Sequence, residues 1–241
     1  MEPHFDITEN GKYKRLSNMT VNQYANYISP YVADQFRGPN NPNGLTLRDY
    51  NQLWDKKNGY IQASPSYKYI NDFWRGTLWP KTLTREQKRT RYVMQKVTAQ
   101  FDLPDNYVGI RKVDREYIHD FLNVDPGGTG KGFDPQSQNS VQRAVDAINN
   151  KISTGKLEVS DKAVTSVSLV ENLNYFKMRA VQIEIQMPKG TKGLLTDNFM
   201  ESEFIAKNNS TLEFIGAERY DYVDTKGRNM HGIKLFARMI Q

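Results

Sequence analysis

Two glutamates one residue apart, Glu201 and Glu203, stand at the end of a stretch with three glycines or prolines that runs from Pro188 to Phe204. In an extended backbone, residues i and i+2 share a face, so this spacing predicts that both carboxylates point the same way. Like charges held that close resist joint ionisation, which is a cost unless a ligand, a cation or a reaction uses them. A solvated pair at the edge of a strand is the alternative, and the rest of the chain must decide between the two.

An arginine and a serine precede the glutamates in segments that have strand composition. Arg111 lies in the β-rich segment 106–113, where a guanidinium on the buried side requires an anion. Ser166 lies in the strand-like segment 163–169. On successive core strands these residues could form a cleft in which the guanidinium holds a phosphate, the hydroxyl supports the geometry and a carboxylate contacts a sugar. Each also has a plain alternative, because Arg111 could pair with a surface carboxylate and Ser166 could lie at a strand edge.

The elements that must position these residues change character along the chain. Apolar residues at helical spacing predict helices in the first half, with Pro30 dividing the segment 20–36 into two short helices. An amphipathic helix is predicted at 140–153, and strand patterns dominate from Ala163 onward, including the alternating segment 181–187. Helices followed by short strands imply an α+β fold on a mainly antiparallel sheet.

Composition narrows the class of protein. The chain has 241 residues, 38% of them hydrophobic and 12% aromatic, which argues for a globular fold, and no apolar run approaches the length of a membrane span. The net charge of +6 favours an anionic partner, such as a phosphate-bearing cofactor, an acidic protein, nucleic acid or a membrane surface. Because cysteine is absent, disulfides, thiolate nucleophiles and cysteine-type zinc sites are excluded.

Two other kinds of site find little support. The glycine-rich segment 127–132 departs from the phosphate-loop pattern, which requires glycine where Asp125 stands and serine or threonine where Gly132 stands. The three histidines, at 4, 119 and 231, are too scattered to form a ligand pair at helical spacing. We therefore expect a surface loop at the glycines and no bound metal.

Taken together, these segments resemble the bacterial toxin mono-ADP-ribosyltransferases, the group that contains the clostridial Rho-modifying exoenzymes and the binary actin-modifying toxins. The resemblance extends from about residue 67 to the C-terminus. The matching elements are a strand arginine, a Ser-x-Ser strand, a Phe-x-x-Arg loop, a helix ending in Asn-x-x-x-Arg and a Glu-x-Glu motif, and their residues are Arg111, Ser166, Phe176, Arg179, Asn71, Arg75, Glu201 and Glu203. The family's Ser-Thr-Ser strand has Val167 in its middle position here.

The resemblance implies a mixed, mainly antiparallel two-sheet core with N-terminal helices. It divides the chain into an N-terminal helical segment, 1–60, and a catalytic domain, 61–241, which we expect to form one compact unit. It also implies NAD as the substrate, with no metal, and its pyrophosphate held by the three cleft arginines. The NAD-binding residues are then Arg111, Arg179, Arg75, Asn71, Phe176 and Ser166.

In this interpretation Ser166 orients Glu203, which acts on the nicotinamide ribose, and Glu201 prepares an arginine acceptor. Phe199, in the loop ahead of the glutamates, is expected to be exposed and to contact the protein substrate. The implied activity is transfer of ADP-ribose from NAD to an arginine of a target protein, with NAD glycohydrolase side activity. A monomeric toxin or effector is expected, secreted or delivered into a host cell and acting on a host protein such as actin.

Two alternatives stay open at this point. A phage or intracellular bacterial enzyme would share the chemistry, but would stay in the cytoplasm and modify a bacterial protein. A non-catalytic basic module, for example for nucleic acid, could use the 33 lysines and arginines together with the 14 tyrosines. The basic residues are interspersed with acidic ones and show no dense patch, which disfavours nucleic acid.

Overall fold

The computed structural model describes residues 12–39, 41–61, 64–77, 82–171 and 179–241. Within these ranges there are six helices and eight strands. The helices are α1 (Val21–Asp34), α2 (Leu47–Leu53), α3 (Ser66–Arg75), α4 (Arg85–Gln100), α5 (Glu116–Leu122) and α6 (Gln138–Thr154). The strands are β1 (Tyr107–Val113), β2 (Leu157–Asp161), β3 (Thr165–Ser168), β4 (Val181–Met187), β5 (Gly193–Leu195), β6 (Glu203–Ala206), β7 (Ser210–Val223) and β8 (Asn229–Ile240).

The described strands form one hydrogen-bonded sheet in the order β2-β7-β8-β4-β1-β3-β6-β5. All neighbours are antiparallel except β4 and β8, which are parallel. The junction between β1 and β3 rests on a single pair, Ile110 with Ser168. This narrow junction divides a five-stranded part from a three-stranded part. The predicted α+β class and the mixed, mainly antiparallel core are therefore confirmed.

Helix α1 corrects the prediction that Pro30 divides this segment in two. It is continuous from Val21 to Asp34 with Pro30 inside it, and it begins at a capping box formed by Thr20 and Gln23. Proline removes one helical hydrogen bond. The helix continues because its apolar residues on both sides of the proline, Tyr24, Ile28 and Val32, are buried in the core and offset that loss.

Two apolar clusters hold the sheet. The larger joins α1 and α6 to β4, β7 and β8, and the smaller packs α2, α3 and α4 against β5 and β6. Residues of α1 belong to the larger cluster, and Leu45, Leu53 and Tyr60 belong to the smaller one. The described part of the first 60 residues thus contributes to both clusters, and the division at residue 60 and the single compact unit stay predictions. None of the described helices combines the length and apolar character that a membrane crossing requires.

Candidate active site

Glu203 is the first residue of β6 and is only 9% exposed. Antiparallel pairing of β6 with β3 sets Glu203 opposite Ser168 and brings it beside Ser166, two residues along the same face. The Ser166 hydroxyl donates a hydrogen bond of 2.6 Å to Glu203 Oε1. The predicted contact between this serine and this glutamate is thus present, and it follows from the register of two neighbouring strands.

The environment of Glu203 makes its carboxyl group hard to ionise. Burial raises its pKa from 4.5 to about 7, and the nearby charge of Glu201 acts in the same direction. The hydrogen bonds from Ser166 and from Thr196 act in the opposite direction, because they stabilise the ionised form. A buried carboxyl group with a pKa near neutrality, held by a hydroxyl, is typical of a reacting group.

The backbone between the two glutamates is not extended, so the prediction that an extended segment points both carboxylates the same way is wrong. Glu201 lies in a turn before β6, and Ser202 has a φ of +47°, in the left-handed region. Ser202 is fully buried, and its hydroxyl accepts a hydrogen bond of 3.0 Å from Val170 N. The side chain of Ser202 therefore anchors the turn that brings Glu201 near Glu203. Burial raises the pKa of the half-buried Glu201 as well.

Arg111 lies on β1, half-buried and paired across the strand with Ile183. Among the described residues, no hydrogen bond or ion pair engages its guanidinium. Its positive charge nevertheless acts on neighbouring side chains. Burial raises the pKa of Tyr60 and Arg111 opposes that rise, and Arg111 also helps to keep the pKa of Asp161 low. An unpaired, half-buried guanidinium at this position suits an anionic ligand.

Arg75 and Asn71 lie on α3, one turn apart, and both already have partners. Arg75 holds Asp161 at the end of β2 through two hydrogen bonds, 3.0 Å from Nε and 2.6 Å from Nη2. Although burial opposes ionisation, these bonds keep the pKa of Asp161 below its usual value. Asn71 accepts a hydrogen bond of 3.0 Å from the buried Tyr60 hydroxyl. Asn71 and Arg75, the two residues predicted to bind NAD from α3, therefore lie on the same helix. The Asp161 carboxylate, however, already engages two of the three guanidinium nitrogens of Arg75.

The Phe-x-x-Arg segment is described only at its end. Phe176 lies outside the described residues, so its predicted contact with nicotinamide stays a prediction. Arg179 forms an ion pair with Asp114, just beyond the end of β1, and its carbonyl oxygen accepts a hydrogen bond from Tyr220. The ion pair places Arg179 beside the strand that carries Arg111.

The predicted exposure of Phe199 is wrong. Its ring is partly buried, packs against the larger apolar cluster and meets Tyr24 edge to face, with ring centroids 6.4 Å apart. The exposed apolar side chain of this turn is Met200, which is 69% exposed. The physical reason is that α1 lies over this turn and covers the aromatic ring but not the next residue.

Several residues of the site were not predicted from the sequence. Thr196 closes the loop 196–202 at its base, because its backbone N–H donates to Glu203 O at 3.1 Å and its hydroxyl lies 3.4 Å from Glu203 Oε2. Asn198 donates side-chain hydrogen bonds that favour ionised Glu201 and Glu203. Asp161 and Tyr60 hold the two α3 residues. The position of Thr196 directly after the short strand β5 is a weak signal in the sequence. In the part of the chain that the structure describes, no cluster of three metal-ligating side chains is present.

Comparison with known proteins gives a fold and no close relative. No family model matches the sequence, and no curated protein matches it. The structure is similar to Plx2a, an ADP-ribosyltransferase toxin from Paenibacillus larvae, at 16% identity and a TM-score of 0.65, over 92% of this chain and 96% of that one. It is also similar to C2-I, the enzymatic component of the C2 toxin from Clostridium botulinum, at 16% identity and a TM-score of 0.61, over 90% of this chain and 47% of that one.

A third similar structure is C3stau2 from S. aureus, solved with NAD, at 14% identity and a TM-score of 0.62, over 95% of this chain and 99% of that one. The chain therefore has the fold of the ADP-ribosyltransferase toxins. It spans about half the length of C2-I and matches C3stau2 almost end to end. The resemblance drawn from the sequence is confirmed at the level of the fold.

Proposed function

We propose that this protein is a mono-ADP-ribosyltransferase that moves ADP-ribose from NAD to an arginine of a target protein. The observation that carries the proposal is the pair formed by Ser166 and buried Glu203, joined at 2.6 Å, in the fold of the ADP-ribosyltransferase toxins. Arg111, half-buried and without a partner among the described residues, adds a place for a phosphate.

In the proposed reaction the bond between C1′ of the ribose and the nicotinamide nitrogen breaks, and its electron pair neutralises the nicotinamide ring. The sugar that remains is cationic and oxocarbenium-like. Ionised Glu203 accepts a hydrogen bond from the ribose 2′-hydroxyl and stabilises this cation more than the ground state, as carboxylates do in glycosidases. Ser166 supports the step by holding Glu203 in place and favouring its ionised form.

The acceptor step assigns a different role to Glu201. A guanidinium is a poor nucleophile because it is always protonated, so a carboxylate must orient it and take a proton while its nitrogen attacks C1′. Half-buried Glu201, in the turn beside Glu203, fits this role. When water attacks instead, the product is free ADP-ribose, which is the proposed glycohydrolase side activity.

The arginines are proposed to share the pyrophosphate unequally. Arg111 makes the principal bidentate contact, because none of the described residues engages its guanidinium. Arg75 keeps Nε and Nη2 on Asp161 and offers its remaining nitrogen, and Arg179 must release or share Asp114. Asn71 and Phe176 complete the proposed NAD contacts, without a metal, and Met200 joins Phe199 as a candidate contact with the protein substrate.

The proposed biological setting is a monomeric toxin or effector that acts inside a host cell, with actin as one candidate target. Incubating the protein with labelled NAD and either eukaryotic or bacterial lysate, then identifying the labelled protein and residue, tests the activity, the target and the setting together. A labelled arginine in a eukaryotic protein supports the proposal as stated, and a labelled bacterial protein supports the phage or intracellular alternative. Absence of nicotinamide release under all conditions contradicts the enzymatic proposal itself.

A further inference from the structure

A side chain occupies the open edge of β5, the position where a further strand would lie. Strand β5 stands at the end of the strand order, so one side of its backbone has no strand partner. Gln35, at the end of α1 and 6% exposed, fills this position. Its Nε2 donates to Leu195 O at 2.8 Å, and Leu195 N donates to its Oε1 at 2.9 Å. Both backbone groups of the last β5 residue are thereby satisfied.

Two more contacts join the N-terminal helices to the loop 196–202 that follows. The Tyr50 hydroxyl on α2 donates a hydrogen bond of 2.7 Å to Asp197 Oδ2, and Tyr24 on α1 packs edge to face on Phe199. The Tyr24 hydroxyl is buried and, among the described residues, has no hydrogen-bond partner. Gln35, Tyr50 and Tyr24 thus contact alternate residues of one continuous stretch, and we name these three side chains the N-terminal clamp.

The clamp holds the loop on the side of Glu201 opposite to Ser202, which anchors the other side of the turn. Glu203 is fixed by strand pairing and by Ser166, so its position does not depend on the loop. Glu201 lies in the turn itself, between the anchored Ser202 and Asn198, whose carbonyl oxygen accepts a hydrogen bond of 3.1 Å from Glu201 N. Tyr50 and Tyr24 contact the residues on either side of Asn198. Loosening the clamp therefore displaces Glu201 more than Glu203.

We propose that α1 and α2 are a positioning element of the active site, which sets Glu201 for the acceptor step and leaves cleavage of NAD largely unaffected. The inference rests on the proposed function. It gives the N-terminal segment a role in transfer that differs from docking to a partner or covering NAD. Gln35, Tyr50 and Tyr24 are positioning residues in this scheme, since they act through the loop 196–202.

The test compares two variants that each remove one tyrosine hydroxyl. Tyr50→Phe removes the bond to Asp197, and Tyr27→Phe removes a bond of the same 2.7 Å length from α1 to Tyr107, away from the loop. Nicotinamide release measures cleavage, and labelled transfer from NAD to agmatine, a small guanidine acceptor, measures the second step. In Tyr50→Phe the ratio of transfer to cleavage should fall about tenfold, the order expected when a hydrogen bond to a charged group is lost. In Tyr27→Phe the ratio should stay at the wild-type value.

Hydrogen exchange of the backbone amides in 196–202 supplies a readout that needs no activity. Tyr50→Phe should raise exchange there, and Tyr27→Phe should not. An unchanged ratio together with unchanged exchange in Tyr50→Phe overturns the inference, as does an equal loss in both variants. If the wild type releases no nicotinamide, the proposed function fails, and the exchange result still decides whether the clamp orders the loop.

Discussion

Replacing Glu203 with glutamine should make the protein more stable while it removes activity. The folded chain raises the pKa of this carboxyl group from 4.5 to about 7, chiefly through burial. Between these two values the folded state binds the proton more tightly than the unfolded state, so the free energy of unfolding of the wild type falls as pH rises. Above pH 7 the free energy of unfolding has fallen by the full amount, about 3 kcal/mol, because each pKa unit corresponds to about 1.36 kcal/mol.

Glutamine has nearly the same shape and carries no charge. Its carbonyl oxygen can still accept the hydrogen bond from Ser166. Its amide nitrogen takes the place of Glu203 Oε2, 3.4 Å from Thr196 Oγ1, which can accept a hydrogen bond from it. Glu203→Gln should therefore unfold with a free energy about 3 kcal/mol higher than the wild type at pH 8 and about equal at pH 4. Nicotinamide release should fall at least about a hundredfold, because the charge that stabilises the cationic sugar is gone.

Urea unfolding at pH 4, 5.5 and 8, followed by tryptophan fluorescence, measures the stability difference. Glu158→Gln is the matched control, because Glu158 is exposed on β2 and pairs at the surface with Lys156. This control should follow the wild type at all three pH values. Two results would refute the raised pKa of Glu203. One is a Glu203→Gln protein that is no more stable than the wild type at pH 8, and the other is a stability difference that persists unchanged at pH 4.

Three further predictions concern the division of roles. Glu201→Gln should abolish transfer to arginine and leave NAD hydrolysis largely intact; equal loss of both activities argues against separate roles for the two glutamates. Ser166→Ala removes a bond that stabilises ionised Glu203, so the pH profile of kcat/KM for hydrolysis should shift to a midpoint above about 7, with activity partly recovered at high pH; a profile that keeps the wild-type midpoint contradicts this role. Arg111→Lys should weaken ADP-ribose binding about tenfold to a hundredfold in calorimetry, because lysine cannot make the bidentate contact; unchanged affinity excludes Arg111 as the phosphate contact.

The fold class and most elements could be predicted because their signals are local. The strand segments that carry Arg111, Ser166 and Glu203 lie within a few residues of their predicted bounds, and α6 agrees almost residue for residue. The continuous α1 could not be predicted, because the burial that compensates for Pro30 comes from residues far along the chain. The prediction that Phe199 is exposed was wrong for the same reason, because the ring that packs on it belongs to Tyr24, far away in the sequence.

Alternation on β4 shows a similar limit. Alternating apolar and polar residues indicate a strand with one wet face. All seven residues of β4 are buried instead, and Glu184 on the polar face pairs with Arg15 from the N-terminal segment and with Lys234 on β8, the latter at 3.6 Å. Charge compensation across such distances in sequence leaves no local pattern. The bond between Ser166 and Glu203 differs, because the resemblance to the toxin family implied this contact before the structure was known.

The bonds between Gln35 and Leu195 also have a consequence for the order in which parts of the chain fold. The two residues are 160 positions apart, so Gln35 cannot bind the edge of β5 until most of the chain has been synthesised. At a ribosomal rate of 5 to 20 residues per second, α1 waits roughly 10 to 30 s for β5. In a nascent chain the N-terminal clamp on the loop that carries Glu201 therefore forms only after residues 195–199 have been made.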